Sequence, residues 1–401
     1  MRDLSMNEPC TDRSLHALAA CGALAIAACV QAEVVVVPIP QAAGTTQYLR
    51  ASLSANGGVA ALSANNSTGK LIRWSESTGV LIECASPGPL SISYPIKVTN
   101  IGTTTGGWYQ PAAPFLRGGA LWQASGALSI GPFGGSGAYG EAVAGSTNGF
   151  PYFITDVPQS SMYQLGSTGG PVLRGRPAGT SSVFPRDANQ DGSACVLSAP
   201  TASGLRTYRW TLAGGFQQLP LLAGATEASP IAMSDDGLRI VGVSSGPAGQ
   251  QGFAWGVKSG LVSMGIPAGA SIGNIAASGD CALVCGQYTV GGTTTGFVWS
   301  ADGGLVSASA FAHSRCFTPA GPVEFLDFNA DGTIAVARVG TQAVLLKGLG
   351  CTAGDFDRDG DVDAADLAAL LANWGSAGAT DLDGDGTTAA SDLAVVLANW
   401  T

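Results

Sequence analysis

The sequence predicts a mainly β chain, built from repeated four-stranded units and ending in a small helical module, on three observations. A unit of about 45 residues recurs along the chain. The 58 glycines accompany only 11% charged residues, which favours tight turns over exposed amphipathic helices. The last stretch, Cys351 to Thr401, holds ten aspartates, no glutamate and Arg358 as its only basic residue.

The clearest repeat runs from Ile231 to Gly265. Its strand-length pieces IAMS, RIVGVSS, QQGFAWG and LVSMG are separated by glycine-containing turns of hairpin length. The next segment aligns with it, placing Ser278 at Ser234, Val284 at Ile240, Gly286 at Gly242 and Phe297-Val298-Trp299 at Phe253-Ala254-Trp255. Five weaker copies bring the number to seven. Their tryptophan-equivalent positions are 74, 122, 154, 210, 255, 299 and 346, at intervals of 48, 32, 56, 45, 44 and 47. Four strands per period near 45 predict a seven-bladed β-propeller, whose closure removes exposed sheet edges.

A tryptophan recurring once per blade could line a sugar-binding surface. Its place in the apolar third strand, beside other apolar residues, reads instead as packing between blades. The DG and NG pairs read as turn residues that tolerate positive φ, and only secondarily as calcium ligands. The unit Ala232 to Gly237, Ile240-Val241-Gly242, Phe253-Ala254-Trp255 and Val262 to Gly265 resembles the HAF family of extracellular repeats. That family's His-Ala-Phe triplet is replaced here by Gly252-Phe253 and Gly296-Phe297. The resemblance implies a propeller-like repeat outside the cell and no defined chemistry.

Residues 15 to 28 form an apolar run preceded by Arg2 and Arg13, and Val30-Gln31-Ala32 is a small-residue cleavage pattern. This predicts a secretory signal peptide over 1–32, a propeller over 33–349 and a calcium module over 350–401. The run is shorter than the roughly 20 apolar residues of a membrane span, so no transmembrane anchor is expected. Leu18 to Cys21 and Ile26 to Cys29 resemble a lipobox, which makes a lipoprotein the alternative. The location expected is secreted or at the cell surface. The exported chain would keep six cysteines, for which disulfides are permitted. Cys281 and Cys285 would lie roughly 13 Å apart on one strand, out of disulfide range. The body before the tail is nearly neutral and gives no basic footprint for nucleic acid.

The acidic tail carries the strongest chemical signal. Residues 355–366 read DFDRDGDVDAAD, with Asp355, Asp357, Asp359, Asp361, Asp363 and Asp366 at positions 1, 3, 5, 7, 9 and 12 and Gly360 at position 6. This is EF-hand spacing: alternate residues of a tight loop turn oxygens inward, and the glycine permits the bend. Carboxylates about 4 Å apart repel by on the order of 4 kcal/mol per pair at an effective dielectric near 20, and Ca2+ offsets that. Position 7 ordinarily contributes its main-chain carbonyl, the role expected of Asp361. Val362 at position 8 is expected to pair with the sister loop.

The pattern returns over 381–392 as DLDGDGTTAASD, with Asp381, Asp383, Asp385 and Asp392 at positions 1, 3, 5 and 12 and Thr387 at position 7. Ala389 at position 9 removes a ligand and Thr388 replaces the apolar position 8, so the second of the two Ca2+ sites is expected to be weaker. LAALLANW over 367–374 and LAVVLANW over 393–400 follow the loops. Their spacing predicts one apolar face made of Leu367, Leu370, Leu371 and Trp374, and a second made of Leu393, Val396, Leu397 and Trp400. Helices this short need metal and mutual packing.

Two such half EF-hands, with Asp at position 12 and a Leu-rich helix behind, resemble the type I dockerin family. That resemblance implies calcium binding and docking onto a cohesin-like protein. Ala364-Ala365 and Ala390-Ser391 stand where the family's partner-selecting residues lie.

Dockerins often ride on polysaccharide-degrading enzymes, so a carbohydrate-active or other hydrolytic enzyme is the alternative function. No catalytic constellation emerges for it. His313 is the one histidine beyond the leader. The Gly-x-Ser-x-Gly strings around Ser244 and Ser271 do not lead into helices, as a nucleophile elbow would. Glu76, Glu83, Glu141, Glu227 and Glu324 show no pairing that a glycosidase needs. The expected protein is a non-catalytic binding or structural propeller with a polysaccharide or cell-envelope ligand.

Overall fold

Among the described residues, a Ser/Asn-x-Asp/Asn turn organises five of the blades. In blade 5, strands Glu227–Met233 and Arg239–Gly246 are joined through Ser234 to Leu238. The Ser234 hydroxyl donates to Asp236 Oδ1 at 2.5 Å and accepts from Arg239 N at 2.9 Å, while Asp236 Oδ1 accepts from Leu238 N at 2.9 Å. Gly237 closes the turn at φ +71°, a conformation costly for a residue with a Cβ. The same network recurs at Ser54-Asn56, Asn189-Asp191, Ser278-Asp280 and Asn329-Asp331. These side chains are therefore turn-formers, as their composition suggests. In blade 6 Cys281 holds the glycine position, at φ +54°.

The computed structural model describes residues 34–64, 71–84, 90–98, 104–111, 118–123, 126–130, 143–144, 152–156, 160–165, 172–315, 317–349, 353–356, 362–378, 380–383 and 385–401. The expected leader over 1–32, together with Cys316 and Cys351, lies outside them. Among the described residues there are seven antiparallel four-stranded sheets. Six follow chain order: 48–83, 90–130, 143–175, 184–218, 227–263 and 271–307. The seventh takes three strands from Val323–Phe328, Ile334–Val339 and Gln342–Lys347 and its outermost strand, Val35–Pro38, from the other end of the chain. Val35 pairs with Lys347, and Lys347 Nζ reaches Glu76 Oε1 of blade 1 at 2.7 Å. This closes the ring between its first and last blades.

Neighbouring blades are tied by their innermost strands. Leu53 N donates to Asp327 Oδ2 at 2.7 Å, Met233 N to Asp187 Oδ2 at 2.9 Å and Val98 N to Ser52 Oγ at 2.9 Å. One blade's side chain thus satisfies the next blade's buried amide, which would otherwise cost about 1–3 kcal/mol. At the turns, Gln190 N donates to Asp235 O, Asp235 N to Gly279 O, Asp280 N to Ala330 O and Ala330 N to Ala55 O, a chain of contacts through blades 4, 5, 6, 7 and 1.

Trp74, Trp210, Trp255, Trp299 and Leu346 are all buried in third strands, the packing role expected of them. The third copy needs correction. Ile154 lies in the second strand of its blade, Tyr152–Asp156, and faces Tyr163. Gln164 Nε2 donates to the Gly192 carbonyl of the next blade, as Arg209 Nε does to Gly237. Leu165 is therefore the counterpart of Trp210. With 165 in place of 154 the uneven intervals of 32 and 56 become 43 and 45.

The repeat's inner glycines have a steric cause. A Cβ on Gly242 would collide with the Ser229 carbonyl and lie 2.6 Å from Phe253 Cζ, and one on Gly286 would collide with the Asn274 carbonyl. Their absence lets the phenylalanine of the third strand lie across the second.

A helix absent from the sequence expectation, α1 (Ala308–Ser314), stands between blades 6 and 7. Ser307 caps it, and Phe311 packs edge-on against Phe325 and Phe328 at 5.3 and 5.8 Å. Cys84, Cys195 and Cys285 are free thiols. Burial pushes the Cys84 thiol up to about 11 and those of Cys195 and Cys285 well above the usual thiol range. No helix among the described residues is long and apolar enough to cross a membrane.

Candidate metal centre

The tail contains helices α2 (Ala364–Ala372) and α3 (Ala390–Ala398), each starting inside the preceding acidic loop. They begin three residues earlier than the apolar repeat alone suggests, because loop position 9 is also the helix N-cap. Asp363 fills that place and its Oδ1 accepts from Ala365 N at 2.8 Å. Ala389, its counterpart, has no side-chain cap. Asn373 and Asn399 end the helices, their amides donating to the carbonyls of Ala369 and Val395.

Of the first loop, Asp357, Asp359 and Asp361 lie outside the described residues. Asp355 is buried at 2% exposure. In the second loop, carboxylate oxygens of Asp381, Asp383 and Asp385 come within 4.8 Å of one another. The backbone imposes this convergence. Asp381 accepts from Asp385 N at 3.2 Å and Gly386 N at 2.8 Å, Asp383 from Asp385 N at 3.1 Å, and Asp385 from Thr387 N at 2.8 Å. Gly386, at φ +96° with open space around it, supplies the bend. Three hard oxygen donors on a tight loop suit Ca2+ by charge and donor type.

Asp366 and Asp392 at position 12 are buried and tie each loop to its helix. Asp392 Oδ1 accepts from Leu382 N at 2.5 Å and Asp383 N at 3.2 Å, and Oδ2 accepts from Ala389 N at 2.7 Å. Asp366 does the same with Phe356 N at 2.6 Å and Asp363 N at 2.8 Å. A carboxylate has about four lone-pair sites, so these amides are compatible with a cation on the same group. Ser391, singled out by sequence only for partner choice, hydrogen-bonds Asp383 and holds its carboxyl below the usual range. Thr387 is exposed.

Phe356, Val362, Leu370, Leu382 and Val396 form one core drawn from both halves. This departs from two sequence expectations. Val362 exchanges main-chain contacts with Thr401, at 2.9 Å to its hydroxyl and 3.1 Å from its amide, while Thr388 pairs with Gly375 and Ser376. Each position 8 thus joins the segment behind the other half's helix, and Val362 shares the core with Leu382 of the sister loop. Thr388 is fully buried, its hydroxyl 2.8 Å from that of Thr380.

The second departure concerns the helix faces. Leu370 and Val396 are fully buried, but Leu371, Trp374, Leu397 and Trp400 are 52, 47, 55 and 44% exposed. The cause is Asp366 and Asp392: holding them inward leaves Leu370 and Val396, four residues on, as the inward apolar positions.

Restoring the missing cap should be visible. Ala389→Asp is expected to raise the stability of the tail by about 1 kcal/mol and to tighten calcium at the second loop, measured by calorimetry and by hydrogen exchange of residues 390–398.

Several of the residues weighed for hydrolysis are engaged within the fold. Glu76 pairs with Lys347 and Glu324 with Arg338. Ser244 is buried within a strand and Ser271 opens one, so neither sits on a strand-to-helix turn. His313 Nδ1 lies 2.7 Å from the Ser309 carbonyl of its own helix.

No family model matches the chain, and no curated protein matches it. Solved structures do. A virginiamycin B lyase from Staphylococcus aureus with quinupristin superposes at a TM-score of 0.52 and 12% identity, over 79% of this chain and 99% of that one. The β-propeller domain of Myceliophteria thermophila Cps50 (Swd1) gives 0.50 and 9%, over 78% and 99%. TolB from Acinetobacter baumannii gives 0.46 and 15%, over 67% of this chain, which spans about 64% of that one. A lyase and a propeller domain of another kind share these likenesses, and at such identities only architecture carries over. The chain has the mainly β propeller fold, with seven four-stranded blades among the described residues and two short helices after them in the sequence.

Proposed function

We propose that this chain is an exported, non-catalytic binding propeller over residues 33–349, anchored through a calcium-dependent docking module over 350–401. The observation that carries the reading is the convergence of the Asp381, Asp383 and Asp385 oxygens within 4.8 Å. The EF-hand spacing of both loops and the dockerin resemblance support it. So does the half-exposure of Leu371, Trp374, Leu397 and Trp400, apolar surface that a module this small would bury against a partner. A cohesin-like protein is the partner this implies, and a polysaccharide or other cell-envelope component is the ligand proposed for the propeller.

Calcium titration of the full chain by calorimetry is expected to show two sites, the first tighter. Asp381→Ala should remove one of them and leave the other. Absence of calcium heat, or two unchanged sites in that variant, would overturn the reading. Presenting polysaccharides with binding and turnover read separately distinguishes this propeller from a hydrolase delivered by the same tail.

A further inference from the structure

Three hydroxyl groups in the joint between blades 4 and 5 have no partner among the described residues. Ser198, Thr207 and Ser244 are 0, 1 and 2% exposed, and their side-chain oxygens make no hydrogen bond with any described group. Ser198 and Thr207 stand directly opposite each other on the second and third strands of blade 4, so their β-carbons lie about 4.5–5.5 Å apart on one face of the sheet. That face looks toward blade 5, because Ala194 and Val196, at alternate places before Ser198, share a core with Ala228, Met233 and Ile240. Ser244 looks back at blade 4: it stands opposite Ala228, at an even spacing along the strand from Ile240.

The two pairs meet at one level of the joint. The Thr207 carbonyl holds the amide of Leu219, which packs in the same core as Ala228. Just before Thr207, Arg206 Nη1 donates to the Thr226 carbonyl at 2.7 Å and Leu205 N to Glu227 Oε1 at 3.4 Å. These contacts bind the hairpin of blade 4 to the entry of blade 5 and close the joint beside the hydroxyls. The next joint shows what the hydroxyls replace. By the same registers, Val243 and Gly252 of blade 5 take the places of Ser198 and Thr207, and Ile272 and Tyr288 of blade 6 those of Ala228 and Ser244. Ile272 and Tyr288 pack against the apolar core there. Ala228 and Ser244 are far smaller, and Thr207 returns only part of the volume. The ring that Ser244 lacks exceeds the about 30 Å3 that one water takes up.

We infer that the joint between blades 4 and 5 is a binding site for one water molecule, held by the Ser198, Thr207 and Ser244 hydroxyls. Each hydroxyl offers one donor and two acceptor lone pairs, and three such neighbours give a buried water its usual number of bonds. The surrounding Val196, Leu219 and Ala228 are apolar, so the guest must be small and bring both donors and acceptors. The site joins two blades through a polar contact where the neighbouring joint uses apolar packing. It concerns the propeller alone and does not rest on the calcium reading.

A crystal structure of the full chain, at a resolution that shows ordered solvent, is expected to place one water within about 3.2 Å of all three oxygens. The stability of two substituted chains reads the same site. With the water in place, Thr207→Val and Ser198→Ala each take away one of its partners and leave the others unpaired, so each should lower the midpoint of urea unfolding. The double variant should lower it by less than the two shifts combined, since both act on one water. A joint without water has the opposite sign: each substitution removes an orphaned hydroxyl, and the midpoint rises. Because the density is read on the unaltered chain, the inference stays testable if a variant fails to fold. Density without a water between the blades, a direct Ser198–Thr207 hydrogen bond in its place, or midpoints that stay or rise in both single variants would overturn it.

Discussion

Leu370→Ala is expected to unfold the two C-terminal helices while leaving the propeller intact. Leu370 is fully buried against Phe356, Val362, Leu382 and Val396, and these five residues are the described core of the tail. Removing a buried leucine side chain costs about 2–5 kcal/mol. Helices of nine residues have little stability of their own to set against such a loss. The loops would go with the helices, because Asp366 and Asp392 tie each loop start to a helix start. Amide exchange of residues 364–372 and 390–398 should rise together, and calcium affinity should fall at both loops. Leu371→Ala, one residue on, removes a side chain already half exposed and should change stability by no more than about 0.5 kcal/mol. Equal effects of the two substitutions would contradict the helix orientation described above.

Gly286→Ala is the corresponding test of the propeller. The added methyl would meet the Asn274 carbonyl and press on Phe297, whose Cε1 would be 3.2 Å away. Forced overpacking of this kind costs about 1–3 kcal/mol or more, and the colliding atom is backbone, which yields less readily than a side chain. The midpoint of denaturant unfolding should fall with its slope unchanged. Gly260→Ala separates this cause from turn strain. Gly260 has φ +73° with nothing within 4 Å of a Cβ, so only the left-handed backbone penalty of about 1 kcal/mol applies there. The substitution at 286 should be the more damaging of the two.

The contrast between those glycines shows what a sequence can express. A turn glycine such as Gly237 is legible because Ser234, Asp236 and Gly237 are neighbours in the chain and their hydrogen bonds are local. Gly286 is legible only as a recurrence, since the carbonyl it accommodates belongs to a bulge twelve residues earlier. The Ile154 misplacement has a related origin. Blade 3 has no tryptophan, and the position of Leu165 became identifiable through Gln164, whose partner Gly192 belongs to the next blade. In the tail, the ligand spacing was legible because a loop of twelve residues folds on itself. The side of each helix that turns inward was not, because a 3.6-residue period accommodates either Leu370 with Leu371 or Asp366 with Leu370.

By itself the sequence determined the mainly β class, the period near 45, the seven blades and the acidic loops, all of which rest on contacts between residues close in the chain or on repetition. Tertiary structure decided how Val35–Pro38 completes the last blade, how Asp187 and Asp327 satisfy neighbouring blades, and how Asn274 of blade 6 reaches Arg50 of blade 1. Those contacts join residues 46 to more than 300 positions apart. No local period or propensity encodes them; they exist only once the ring has closed and set the first strands of its blades around a common centre.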